Sequence, residues 1–282
     1  MKKFLSLLIV VILTVATYIS DLPETDTTYV DTVVNEMTAG TKVCFIDVQQ
    51  GDSSLIITGN QAILIDGGRN ADETNVCEFI SEQGIESIDL VIATHPHEDH
   101  IGGLDAVIEN FVVSKLLMPD VPYNTQTYED VITAADENNT DIIYPEDNNF
   151  FEFDSGLTLT VLLPSEDFES SDTNDDSIVC RVVIGETSIF YTGDMEYKLE
   201  EELMSQVQQS DILKVGHHGS DTSTTEEFLD KVNPSIAIIS CGFANKYGHP
   251  HADVIDRLTA RGIEIRQTQY EGDVIFEFDA VV

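Results

Sequence analysis

Leu90-Val-Ile-Ala-Thr-His-Pro-His-Glu-Asp-His-Ile-Gly-Gly103 is the stretch that decides how this chain is read. Leu90–Ala93 is a short, unbroken apolar run, as expected of a strand buried on both faces. It ends directly at His95. Pro96 stiffens the link between His95 and His97, so both rings can face one side of an extended segment. Asp99 and His100 come after the chain turns and can reach a second position nearby. Gly102 and Gly103 let the backbone turn tightly into a helix. Imidazole and carboxylate are ligands for transition metals, and the spacing H-x-H-x-D-H offers two ligand pairs to two ions.

Working outward, the other histidines are just as concentrated. All seven fall in three clusters: the first motif, Gly216-His-His-Gly-Ser220 and Gly248-His-Pro-His251. Structural histidines would scatter, so the grouping indicates that imidazole is kept for one site.

Of the 282 residues, 42% are apolar, an ordinary globular content, whereas 52 acidic residues face 13 basic ones for a net charge of −39. The acidic residues are spread along the chain among apolar strands, so they describe a folded domain with an acidic surface rather than a disordered polyacid. Such a surface suits strong salt, where at roughly 1 M the Debye length shrinks to about 3 Å and self-repulsion is screened. No lysine or arginine cluster lies beyond the N-terminus, which counts against long-range attraction of nucleic acid.

Lys2-Lys3 followed by a run to Ser20 that is apolar apart from Ser6, Thr14 and Thr17 has the pattern of a secretory signal. No small-x-small cleavage site follows, so residues 1–20 are expected to be a removed signal or an uncleaved membrane anchor. Either places the catalytic part outside the cytoplasm. Residues 21–40 read as an acidic linker and 41–282 as the folded domain. Cys44, Cys77, Cys180 and Cys241 form no C-x-x-C pair, and Cys44 and Cys180 are expected to be buried free thiols.

Strands are expected over Lys42–Val48, Ser53–Thr58 and Gln61–Ile65, with Gly59-Asn60 as a hairpin turn. A helix follows at Glu73–Gln83. A short helix to Asn110, a strand over Val112–Met118 and a helix over Tyr128–Asn138 come next. The second half is expected to hold strands at Leu157–Leu163, Ile178–Ile184 and Ser188–Tyr191, then a helix over Glu196–Gln208. It closes with alternating strands and helices from Ile212 to Phe278. The acidic loop Glu166–Asp176 is expected to be exposed. This order predicts an α/β fold of two mixed sheets packed face to face with outer helices, four layers in all.

The motif set resembles the metallo-β-lactamase superfamily over nearly all of residues 41–282. Within it, the chain is similar to the ComEC-like metallo-hydrolase domains of DNA uptake. The resemblance is carried by Phe45–Ser53, with Gln49 where glycine is usual, and by Ile63-Leu-Ile-Asp-Gly-Gly68. Tyr191-Thr-Gly-Asp194, Leu213–Ser220 and Asn245-Lys-Tyr-Gly-His-Pro250 add to it. It implies the αββα sandwich, a dinuclear metal site and hydrolysis. Carried over, His95 and His97 would hold the first metal, Asp99 and His100 the second, and Asp194 would link them. His218, favoured over His217, would complete the second metal. His217 and His249 would line the pocket as substrate binder or proton donor, with Asp99 also serving catalysis; the match ends before His251. Asp47 and Asp66 would orient ligands.

The chain departs from many members in having no histidine between His100 and His217. Asp175 or Ser177 could approach the metal there, or the segment is a plain loop. Zn²⁺ is the expected metal, with Mn²⁺ the alternative if the first site is oxygen-rich. A Cys241 thiolate near the site is a further reading. The expected function is that of an exported two-metal hydrolase with metal-bound hydroxide as nucleophile, acting on phosphodiesters, DNA among them. The alternatives are hydrolysis of small esters, lactones, β-lactams or wall-linked phosphodiesters, and a non-catalytic metal-binding surface protein.

Overall fold

A computed structural model describes residues 40–146 and 149–279. The expected signal or anchor at 1–20 and all but the last residue of the 21–40 linker lie outside the described residues. Among the described residues no helix is long and apolar enough to cross a membrane.

The strands, in chain order, are β1 (Thr41–Phe45), β2 (Ser53–Thr58), β3 (Gln61–Gly67), β4 (Ser87–Ile88), β5 (Leu90–Ile92), β6 (Val112–Val113), β7 (Lys115–Leu117), β8 (Asp141–Ile143), β9 (Phe150–Glu152), β10 (Thr158–Leu162), β11 (Val179–Ile184), β12 (Thr187–Tyr191), β13 (Ile212–Lys214), β14 (Ile236–Ile239), β15 (Glu264–Gln267) and β16 (Val274–Phe278). The helices are α1 (Glu73–Glu82), α2 (Glu98–Ile101), α3 (Leu104–Asn110), α4 (Gln126–Asn138), α5 (Tyr197–Leu203), α6 (Glu226–Val232), α7 (Ala252–Ala260) and α8 (Thr268–Glu271).

Two seven-stranded sheets result, ordered β16-β1-β2-β3-β5-β7-β8 and β15-β14-β13-β12-β11-β10-β9. Each changes from antiparallel to parallel midway, at the β3–β5 pair in the first sheet and the β12–β13 pair in the second. The expected sandwich of mixed sheets is what forms.

Period-two alternation explains the layering. In β1, Val43 and Phe45 face the space between the sheets while Cys44 faces outward. In β3, Ile63 and Ile65 point inward and Ala62 and Leu64 outward. The second sheet repeats this with Val182, Ile189 and Ile238 inward and Phe190, Leu213 and Ala237 outward. The inner faces share one core, and each outer face has its own, covered by α1, α3 and α4 on one side and by α5, α6 and α7 on the other. The central strands, apolar on both faces, therefore read as near-continuous hydrophobic runs.

Three expectations need correction. The Val112–Met118 strand is broken at Ser114, where the chain changes partners from β4 to β5 and the Ser114 N–H donates to Ile88 O. The Glu196–Gln208 helix covers only Tyr197–Leu203. Beyond it, the Gln206 amide donates to Leu163 O at 2.6 Å and draws the chain toward the end of β10. The Glu166–Asp176 loop is not wholly exposed: it ends in a 3₁₀ turn, Thr173–Asp176, in which Asn174 and Asp175 are buried. The four cysteines are free thiols, and burial pushes those of Cys44 and Cys77 up to about 11.

Candidate metal centre

The chemistry-bearing side chains gather at the carboxyl ends of the central strands, where open α/β sheets bind ligands. Asp66 closes β3, His95 and His97 follow β5, Asp194 follows β12, and His217 and His218 follow β13. Several of these turns have left-handed backbone at non-glycine residues: φ is 59° at Asp66, 46° at His217, 54° at His218 and 57° at Gln49. Each such residue costs about 1–3 kcal/mol, a strain that collects at functional sites. It also explains why glycine suits position 49. Gly51 admits the β1–β2 turn to the metal loop, since a Cβ there would strike the Asp99 carbonyl; Asp52 N–H donates to that carbonyl at 3.0 Å.

The donors fall into two nests that share Asp194. One is His95, His97 and Asp194; the other is Asp52, His100, Asp194 and His218. In the first, His95 Nε2 and His97 Nδ1 are 3.0 Å apart, and His95 Nε2 lies 3.8 Å from Asp194 Oδ2. In the second, His100 Nε2 is 3.2 Å from Asp194 Oδ1 and His218 Nε2 is 3.6 Å from Asp194 Oδ2. Nitrogen and oxygen ligands about 2.0–2.2 Å from one tetrahedral ion stand roughly 3.3–3.5 Å from each other. Both nests approach that spacing.

The outer contacts fix which imidazole nitrogen faces inward. Asp66 Oδ2 accepts from His100 Nδ1 at 2.7 Å, and Asp66 also receives the Thr94 N–H (2.8 Å) and hydroxyl (2.7 Å). His218 Nδ1 donates to Ser240 O at 2.9 Å. Each contact places the proton on Nδ1 and leaves Nε2 as the free lone pair. His100 Nε2, His218 Nε2, Asp194 Oδ1 and Asp52 Oδ1 are buried without a hydrogen-bond partner. Buried polar atoms are normally satisfied, so a convergent set of orphans fits a pair of cations.

The electrostatics agree. Burial would push the His100 imidazole down, yet Asp194 and Asp66 outweigh it and hold it well above the usual range. His218 is pushed up to about 10 by Asp194, Asp52 and Asp99 against the same desolvation. Burial would raise Asp194, but His100 and His218 keep it well below the usual carboxylate range. The nest demands positive charge at its centre, which divalent ions would supply in place of protons. The structure thus brings His95, His97, His100, Asp194 and His218 together.

Asp99 sits at the margin, with Oδ2 3.4 Å from His218 Nε2 and its side chain 24% exposed. His217, the half-buried member of its pair, donates from Nδ1 to Glu196 Oε1 at 2.9 Å and directs Nε2 toward Asp194 at 3.8 Å. His249 lies 5.4 Å from the His217 ring, and burial together with His218, His217 and His251 lowers it to about 4.

Other expected positions fall elsewhere. Asp47 bonds the Gln49 N–H, away from both nests. His251 accepts from the Asp221 N–H. Neither Asp175 nor Ser177 reaches a nest: Asp175 accepts from Ser170, and Ser177 Oγ accepts the Asp194 N–H at 3.0 Å. Burial pushes the Cys241 thiol up to about 12, so it is no thiolate at neutral pH.

The sequence reading missed Asp52, whose Oδ2 accepts from the buried Lys214 Nζ at 2.6 Å. It also missed Glu196, which holds His217, and Asn174, which reaches the same Glu196 oxygen at 3.2 Å. A lysine at the apolar β13 end, Ile212-Leu-Lys-Val215, was the one available signal for the buried pair, because lysine is seldom buried unpaired. A cavity of about 710 Å³ opens over the nests, its wall including Gln50, Arg69, Glu98, Asn174, Asn245, Lys246 and Tyr247.

Paired mixed sheets with imidazoles and carboxylates converging at the strand ends define an αββα protein with a site able to hold two metals. The Metallo-beta-lactamase superfamily model matches residues 46–242, and the chain belongs to that superfamily. The chain is 31% identical over 257 residues to ComE operon protein 3 of Bacillus subtilis, across 84% of this chain and 33% of that protein. It is 33% identical over 234 residues to Competence protein ComA of Neisseria gonorrhoeae, across 82% and 31%. It thus spans about a third of the length of these curated relatives. The crystal structure of the metallo-beta-lactamase fold protein YhfI from Bacillus subtilis superposes with a TM-score of 0.56 at 14% identity, covering 84% of this chain and 99% of that one. That likeness concerns the fold.

Proposed function

We propose that this chain hydrolyses phosphodiesters with two divalent metals and works outside the cytoplasm in strong salt. His95, His97 and Asp194 would hold the first ion; His100, His218 and Asp194 the second, with Asp52 in the same nest and Asp99 at its margin. Zn²⁺ is the proposed metal and Mn²⁺ the alternative. Bound there, such ions would supply an activated water, its pKa brought toward about 7, and would stabilise charge on the entering and leaving oxygens.

The chain's own groups do the rest. Asp66 and Ser240 O orient His100 and His218. Glu196 fixes the His217 ring so that, when protonated, its Nε2 can deliver a proton to the leaving oxygen. His249, neutral above about pH 4, can bond a substrate oxygen.

The observation that carries the phosphodiester reading is the cavity wall. In a chain of net charge −39, Lys246 stands in that wall with no carboxylate at ion-pair distance among the described residues, its Nζ 4.7 Å from the Tyr247 ring centre. A cation left free beside a metal nest suits an anionic substrate. The Neisseria gonorrhoeae relative is a competence protein by name, which supports DNA as one such substrate. Export rests on Lys2-Lys3 and the apolar run behind them, which would also make any membrane contact.

The test is to load the full chain with Zn²⁺ or Mn²⁺ at molar salt. Bis(p-nitrophenyl) phosphate, DNA, a p-nitrophenyl ester and a chromogenic β-lactam are then assayed side by side. Phosphodiester turnover that His97→Ala abolishes is expected. Turnover of the ester or lactam alone would replace this reading, and metal binding without any turnover would point to a non-catalytic role.

A further inference from the structure

Large aromatic side chains are normally buried, yet three stand exposed on and beside the active cavity: Tyr247, at 51%, in its wall, and Phe243 and Tyr270, at 69% and 68%, outside that lining but tied to it through the loop backbone. Phe243 and Tyr270 pair edge to face, with ring centres 6.3 Å apart. Tyr247 stacks on His249 at 5.6 Å and carries Lys246 over its ring. The wall is held stiffly. Asn245 donates to Gly242 O at 2.9 Å and His249 O at 2.6 Å, and accepts from the N–H groups of Tyr247 (3.1 Å) and His249 (3.0 Å). Thr268, which begins α8, accepts the Cys241 N–H at 3.1 Å and so ties the Tyr270 turn to the base of this loop. Gly242 N–H donates to Gln50 Oε1 at 3.2 Å, and Gln50 lines the cavity, so the loop that carries Phe243 abuts it.

We propose that Phe243, Tyr247 and Tyr270 form a base-stacking platform that holds the unpaired bases of a single-stranded nucleic acid next to the scissile phosphate. The inference rests on the phosphodiesterase reading and deepens it. Stacking needs no net charge, so it suits a chain whose acidity forbids a basic groove. Duplex DNA buries the base faces the rings would use, and the rings stand in the open rather than lining an apolar slot for a folded partner. Lys246, over Tyr247, is placed to meet a backbone phosphate as the bases lie on the rings. Each base–aromatic contact is worth on the order of 5- to 150-fold in affinity.

The probes are an oligothymidylate of about 12 nucleotides, within the length such surfaces contact, and an abasic strand of equal length and charge. With the metal-loaded chain, kcat/KM for the thymidylate is expected to exceed that for the abasic strand at least tenfold. Phe243→Leu and Tyr270→Leu, which keep apolar bulk on exposed positions, should each shrink that ratio at least fivefold. Fluorescence anisotropy with the His97→Ala chain repeats the comparison without turnover, so stacking is tested even if no phosphodiester is cleaved. Its affinity should hold or rise between low and molar salt, whereas a phosphate-driven mode would weaken steeply. Equal handling of the two strands, full activity of the leucine variants or preference for duplex would each overturn the platform. Loss of all phosphodiester turnover with the binding preference intact would overturn the proposed function instead.

Discussion

Asp66→Asn is the substitution that most cleanly separates ligand orientation from ligand supply. Asp66 lies outside both donor nests and is 1% exposed, and its carboxylate takes three bonds: Thr94 N–H on Oδ1, and Thr94 Oγ1–H and His100 Nδ1–H on Oδ2. The backbone N–H of Thr94 is a fixed donor, so an asparagine must keep its oxygen there and turn its NH₂ toward His100. Two donors then face each other at 2.7 Å unless the imidazole moves its proton to Nε2. That nitrogen is the one aimed at Asp194 Oδ1, and once protonated it cannot ligate. Losing an outer-sphere partner of this kind costs about 10–100-fold in metal affinity, or roughly 1.4–2.7 kcal/mol. Competition against a chromophoric chelator, with elemental analysis, should show one ion retained and the other weakened by that factor. Two ions bound at wild-type affinity would refute the tautomer argument.

Three further outcomes are expected. His217→Ala should keep two metal equivalents yet lose about 10²–10⁴ in kcat, the size of a positioned proton donor; loss of an ion on dialysis would make His217 a ligand. Lys214→Ala leaves Asp52 Oδ2 buried without its cation while His218 still faces Oδ1, so the cost should approach that of a broken buried pair, about 3–5 kcal/mol, read as a lower urea midpoint. The Glu200 carboxyl is raised by burial above its ordinary 4.5, despite bonds from Thr224 and Thr225. Its contribution to stability is therefore complete below 4.5 and is lost as pH rises through the raised value. Urea titrations should show Glu200→Gln gaining on the wild type between pH 4 and 7, and a constant gap would contradict the shift.

What could be read from the sequence follows physical locality. The Thr94–His100 donors lie within one short segment, so their spacing alone predicts convergence. The alternation of β1–β3 and the apolar run at Leu90 give the sheets, because burial on one or both faces leaves its period in the residues. Asp194 and His218 were reached only through resemblance, since nothing local in Gly193-Asp194 says that it meets His95. Asp52 was lost for the same reason: it arrives through the β1–β2 turn, which packs on the Asp99 carbonyl by virtue of Gly51. Asn174 and Asp175 looked exposed because polar burial has no periodic signal. A hydrogen-bond network with Glu196 and Ser170 holds them inside. The short α5 and the split at Ser114 are tertiary effects that override local propensity.

The central claim is that two cations share Asp194 within one cleft. Anomalous diffraction from crystals of the full chain grown with Zn²⁺ tests it directly. The account predicts two peaks roughly 3.5–4 Å apart, one against His95 and His97 and the other against His100 and His218, with the Asp194 carboxylate between them. A single peak, or metal bound away from Asp194, would contradict it.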